Sequence, residues 1–125
     1  MSLTKFPNGI SSFLSHVNAT EKSAAFTATA NTNYLITASC TATLPAIAVG
    51  NTFTFINGGE DGTVQITISP NANDGIAYGG SFANDKDLIN TLATAKKGDF
   101  VTIVSGDQAV YWFTTAAQGT WAKQA

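Results

Sequence analysis

Arginine is absent from this 125-residue chain, and cysteine, histidine and methionine each occur once. Side chains of either charge make up 11% of it, against about 25% in an average globular chain. Six lysines face eight acids, leaving a net charge of −2. A protein that grips nucleic acid by neutralising phosphates needs a basic surface, and this balance excludes one. Disorder driven by charge repulsion is excluded on the same count. No apolar run approaches the ~20 residues that span a bilayer. The opening Met1–Gly9 has one lysine, Lys5, and no continuous apolar stretch behind it, so no signal peptide is expected. Cys40 has no partner for an internal disulfide, which suits a reducing compartment, and one cysteine with one histidine does not suit a zinc site.

What is present is apolar and hydroxyl-rich. Hydrophobic residues make up 44% of the chain, and Thr, Ser, Asn and Gln supply its polarity in place of charge. A mass of 13.0 kDa suits one domain. A chain of this size should bury roughly two-thirds of its extended surface, enough for a real core.

From about Ala25 onward the dominant period is two, that of half-buried strands. Thr52-Phe53-Thr54-Phe55 alternates hydroxyl and ring, and Val64, Ile66 and Ile68 interleave with Gln65, Thr67 and Ser69. Val101 and Ile103 flank Thr102, while Phe100 and Val104 make the opposite face apolar too. In Ala109–Thr115, Tyr111 and Phe113 point one way and Val110 and Trp112 the other. Ala25–Thr29, Tyr34–Thr37 and Cys40–Leu44 read as further strands. The glycines of Asn57–Gly62 suit a hairpin loop between two of them, and Ser105-Gly106-Asp107 separates two more. Leu88, Ile89 and Leu92 fit either one helical turn or an irregular strand.

Seven to nine short strands punctuated by turns predict an all-β, antiparallel β-sandwich or jelly-roll-like domain. Residues 23–125 form that domain, and residues 1–22 read as an extended N-terminal arm. Phe6, Ile10 and Phe13 are large apolar residues on an otherwise polar arm and call for a partner surface.

Few residues suit catalysis. His16 lies in the arm, and a dyad with Cys40 or any serine would need the arm folded over the domain. Gly79-Gly80-Ser81-Phe82-Ala83 lacks the last glycine of a nucleophile elbow. Glu60-Asp61 falls in a glycine-rich loop where acids are solvated turn residues. Asp85-Lys86-Asp87 has a lysine where a Ca²⁺ loop needs oxygen ligands. No enzyme, metal or cofactor is expected. The aromatic cluster is a different matter: Phe113 is expected in the core, Trp112 suits the core and a subunit interface equally, and Trp112 and Trp121 are the candidates for an interface or a sugar platform.

A longer pattern joins these pieces. Leu44–Asn57 is followed by Val64–Pro70, Gly75-Ile76, Lys97–Ser105, a Tyr111-Trp112 strand and Gly119-Thr120-Trp121. This order resembles the small β-domains of tailed-bacteriophage virion proteins, above all head-decoration (cement) proteins and fibre or spike modules. Thr4–Phe13 resembles the opening of such proteins, departing from it at Leu14–Val17, where glycine and then proline would follow. The resemblance implies a homotrimer with a β-sandwich or jelly-roll body, made in the host cytoplasm and carried on the capsid surface of the virion. Its partner would be the major capsid protein, with Phe6, Ile10 and Phe13 docking there or forming trimer contacts, and with neither nucleic acid nor membrane as a partner. The alternative is a tail-fibre or tail-spike module recognising a host surface glycan through Trp112 or Trp121.

Overall fold

The computed structural model describes residues 19–48, 50–105 and 111–125, and among these it forms eleven strands. They are β1 (Ala19–Lys22), β2 (Phe26–Thr27), β3 (Asn33–Ile36), β4 (Cys40–Thr43), β5 (Thr52–Asn57) and β6 (Ile66–Ser69), then β7 (Gly75–Ala77), β8 (Leu88–Asn90), β9 (Phe100–Ser105), β10 (Tyr111–Gln118) and β11 (Trp121–Lys123). One 3-10 turn, Leu92–Thr94, follows β8, so the segment after Asp87 is a short strand and then a helical turn. The arm residues Phe6, Ile10, Phe13 and His16 lie outside the described residues. Ala19–Lys22, placed in the arm by sequence, pairs in register with Asn33–Ile36.

The strands form a six-stranded sheet, ordered β1-β3-β5-β9-β10-β7, and a five-stranded sheet, ordered β11-β8-β6-β4-β2. The pairing is mixed and not the antiparallel arrangement expected from sequence. Five strand pairs are parallel, β1·β3, β3·β5, β2·β4, β4·β6 and β7·β10, and the other four are antiparallel. The reason lies in the order of the chain. From β1 to β6, successive strands alternate between the two sheets, so each return to a sheet runs in the direction of the last visit. Parallel neighbours need a crossover, and for the four pairs within β1 to β6 it is one strand of the opposite sheet, while β7 and β10 are joined through β8 and β9. Asn57–Gly62 is accordingly no hairpin loop: it carries the chain from β5 in one sheet to β6 in the other. The period-two pattern is blind to this, because parallel and antiparallel strands alternate alike.

Side chains from both sheets meet in one core. Phe53 and Phe55 of β5, Ile66 and Ile68 of β6, and Val101 and Ile103 of β9 are fully buried. Their neighbours in sequence, Thr54 and Thr102, point to the other face and share a hydroxyl hydrogen bond of 2.9 Å across the β5·β9 pair. A row of rings crosses the interior: Phe26 to Tyr34 at 4.7 Å, Tyr34 to Phe55 at 5.6 Å, Phe55 to Phe53 at 6.1 Å and Phe53 to Trp112 at 5.4 Å. Fully burying a phenylalanine is worth about 1.5–3 kcal/mol, so this row is a main source of stability.

A polar clasp closes one end of the core. The Asn57 side-chain amide donates to the Val64 carbonyl and to Asn90 Oδ1, both at 2.8 Å, and its oxygen accepts from the Gly59 N–H. The Asn90 amide donates to Asp99 Oδ2 and to the Thr120 carbonyl. All three side chains are buried, and the clasp ties strands of both sheets to the β10–β11 turn. Gly119 in that turn has φ +97°, and any Cβ there would run into the Asp99 carboxylate.

Candidate interaction site

Among the described residues, a concavity lies where β7 stops short of β10. Gly75, Ile76 and Ala77 pair in parallel with Tyr111, Trp112 and Phe113, and there the pairing ends. Beyond Ala77 the chain leaves the sheet in a tight turn, with Tyr78 and Ser81 exchanging backbone hydrogen bonds of 2.9 and 3.0 Å. Gly79 and Gly80 between them have φ of +59° and +84°, the double positive φ that a two-residue hairpin favours. On its β7-facing side, Thr114–Gln118 has no strand beside it among the described residues, although β9 pairs it on the other.

The result is a cleft of about 440 Å³ between Ala77–Phe82 and Thr114–Ala117. Its lining contains no charged side chain. Phe82 at the rim is 55% exposed and meets the half-buried Tyr111 edge-on at 5.4 Å. Phe113, two residues along β10 and on the same face as Tyr111, is 42% exposed. Thr115 to Gln118 are all exposed, alternate faces included, so this half of β10 projects past the core. Thr114 Oγ1 is buried and finds no hydrogen-bond partner among the described residues.

The aromatics singled out from sequence exchange places with others. Trp112 is fully buried against Phe53, and Trp121 is nearly so, its indole N–H donating to the Gln118 carbonyl at 3.0 Å. Both rings fill the chain's own core, so neither is presented as a platform at its surface. Phe113, expected in the core, stands outside because Trp112 takes the inward position and strand alternation sends its neighbours out. Phe82 and Phe113 carry the exposed aromatic surface, with half-buried Tyr111 between them. A signal for them was present: Gly79-Gly80 marks a two-residue turn, and Thr114–Gln118 is uncharged at every position.

Elsewhere the polar groups do structural work. Glu60 and Asp61 are exposed and pair with Lys97 at 2.6 Å and Lys96 at 3.7 Å, fastening the β5–β6 crossing to the loop before β9. Lys123 donates from Nζ to the carbonyls of Ile76 and Lys86, at 2.8 and 3.0 Å. Burial pushes its pKa below the usual lysine value, partly opposed by Asp87. Among the described residues no three His, Cys, Asp or Glu side chains gather as a metal site would require. No helix among them is long and apolar enough to cross a membrane. No protein-family model matches this chain, and no curated protein matches it.

Proposed function

We propose that this chain is a structural component of a tailed-bacteriophage virion: a homotrimeric decoration protein that binds the outer head surface and bridges neighbouring capsid subunits. The observation that carries the reading is the uncharged, partly apolar free flank of β10, with Phe82, Tyr111 and Phe113 beside it. Soluble proteins guard open strand edges with charge or proline, and an unguarded edge suits a part that is covered once assembled. A surface with few charges also loses little on burial, since few ions must be stripped of water. In a C3 trimer one modest contact is presented three times, and effective concentration makes the sum strong. The two sheets, sharing one core, are read here as the faces of a β-sandwich of jelly-roll type. The reading assigns the protein no catalysis and no cofactor, and places it on the capsid surface after synthesis in the host cytoplasm. Light scattering after size exclusion tests the oligomeric part: three times 13.0 kDa is expected, and a clean monomer at micromolar concentration contradicts it.

A fibre or spike module that recognises a host glycan is the second reading. It is favoured by the edge-on Phe82–Tyr111 pair at the rim of a neutral cleft that Ser81, Thr114 and Thr115 supply with hydroxyls. Binding on a glycan array, lost on Phe82→Ala, supports it; an array without hits removes it.

A further inference from the structure

We infer that the cleft beside Thr114–Gln118 receives an extended segment, Ile10–Leu14, from a neighbouring copy of the chain. The segment adds to the six-stranded sheet in the line that β7 vacates. The inference rests on the homo-oligomeric reading above and names the contact that would hold the copies together.

The acceptor is defined by its backbone. β7 pairs with β10 for three residues and ends at Ala77. The next four residues of β10, Thr114–Ala117, line the cleft on the flank where a partner strand would lie, and Gln118 ends the strand beyond them. An edge of this kind offers N–H and C=O groups to any extended chain that fits beside it. Lysine, acid and proline, the usual guards against such pairing, are all missing from Thr114–Gln118. The cleft has β10 on one flank and the Tyr78–Ser81 turn on the other. That space suits one strand better than the edge of a whole second sheet. Its neutral lining rejects a charged occupant, which would lose hydration with nothing to pair against.

The donor is identified by length, position and composition. Eighteen residues precede β1, and β1 is the edge strand at the opposite end of the same sheet. It lies four strand steps from β10, roughly 19 Å at the usual strand spacing. Only Ser15–Asn18 lie between the segment and β1, a span of at most about 17 Å, which falls short of the chain's own β10 and points to the cleft of an adjoining copy. Within them, Ile10–Leu14 has no charge, glycine or proline and brings Ile10, Phe13 and Leu14 within five residues. It matches the free edge in length and neutrality. The apolar side chains of the donor have Phe82 and Ala117 to meet at the cleft. Exchange of identical segments joins copies without any further surface, which is why the donor is assigned to a neighbour.

The test uses the full chain with Cys40→Ser, Ser12→Cys and Ala116→Cys, the new thiols being at the centres of the two segments. Centre meets centre whether the added strand runs parallel or antiparallel. Oxidation should give disulfide-linked dimers and trimers on a non-reducing gel, with each single-cysteine chain as control. In the unmodified full chain, those Thr115–Gln118 amides that point away from β9 should exchange with solvent at least about tenfold more slowly than in full-length Phe13→Asp. A disulfide closed within one chain, or no disulfide, overturns the inference, as does equal exchange in the two proteins. A monomer by light scattering overturns the oligomeric reading and the inference together. An oligomer with no cross-link and no protected amides overturns the inference alone.

Discussion

Asn57 and Asn90 share a buried amide–amide hydrogen bond, 2.8 Å from Nδ2 to Oδ1, that joins β5 of one sheet to β8 of the other. Each asparagine spends both of its N–H donors inside the protein, on Val64 and Asn90 in one case and on Asp99 and Thr120 in the other. A network satisfied in this way fixes how the two sheets meet, because any shift would strand buried polar groups.

Replacing Asn57 with alanine leaves the Val64 carbonyl, the Gly59 N–H and Asn90 Oδ1 without their partner. Each such group costs about 1–3 kcal/mol when water cannot reach it, and partial hydration of the loop trims the sum to about 3 kcal/mol. Urea unfolding at unchanged m-value should report this as a lower midpoint. A loss below about 1 kcal/mol would show that the clasp is already wet.

Gly75→Ala tests what holds the cleft in shape. A Cβ at this position would sit 2.5 Å from the Phe82 carbonyl oxygen and 3.1 Å from the Tyr111 ring. The backbone at Phe82 has to retreat, at a cost of about 1–3 kcal/mol. The Phe82–Tyr111 ring contact should weaken with it, seen as lost ring-to-ring cross-relaxation in NMR spectra. Retention of that contact at wild-type stability would contradict the close approach.

Cys40 packs against the core, and burial pushes its thiol above the ordinary value. The thiolate is the reactive form, so alkylation by iodoacetamide at pH 8 should run slower than for a free cysteine and recover on denaturation. A rate equal to that of the unfolded chain would place the thiol in solvent.

Lys123 carries the pH dependence with the clearest structural origin. Its folded pKa lies below the unfolded value because burial disfavours the charged form. While the lysine is protonated in both states the folded protein bears that cost. Between the lowered folded pKa and the unfolded value the unfolded chain holds more protons, and stability rises with pH. Exposed Lys97 behaves oppositely: the hydrogen bond it donates to the Glu60 carboxylate raises its pKa, so its contribution is lost as pH climbs through that raised value. NMR titration of the side-chain Cε signals should place Lys123 below Lys97. The reverse order would refute the assigned burial.

The sequence made the strands legible and left their directions hidden. Thr52–Phe55 and Val64–Ile68 announce which side chains turn inward, and Phe53, Phe55, Ile66 and Ile68 are indeed buried. Nothing in that alternation says that β5 and β6 belong to different sheets. Asn57 decides it: a residue typical of turns proves to be a buried bracket, recognisable only once Asn90 and Asp99 stand beside it. The aromatic cluster was visible at Tyr111-Trp112-Phe113, but the inward-facing member depends on which face β10 lends to the core. Trp112 takes that place, leaving the surface to Phe113 and to Phe82, a residue that sequence alone did not single out.

Cosedimentation of the full chain with purified phage heads and with tail-only particles of the same phage tests the central claim most directly. The account predicts saturable pelleting with heads, at a bound number per head divisible by three, and no pelleting with tails. Protein that stays in the supernatant with heads, or that pellets with tails alone, would contradict it.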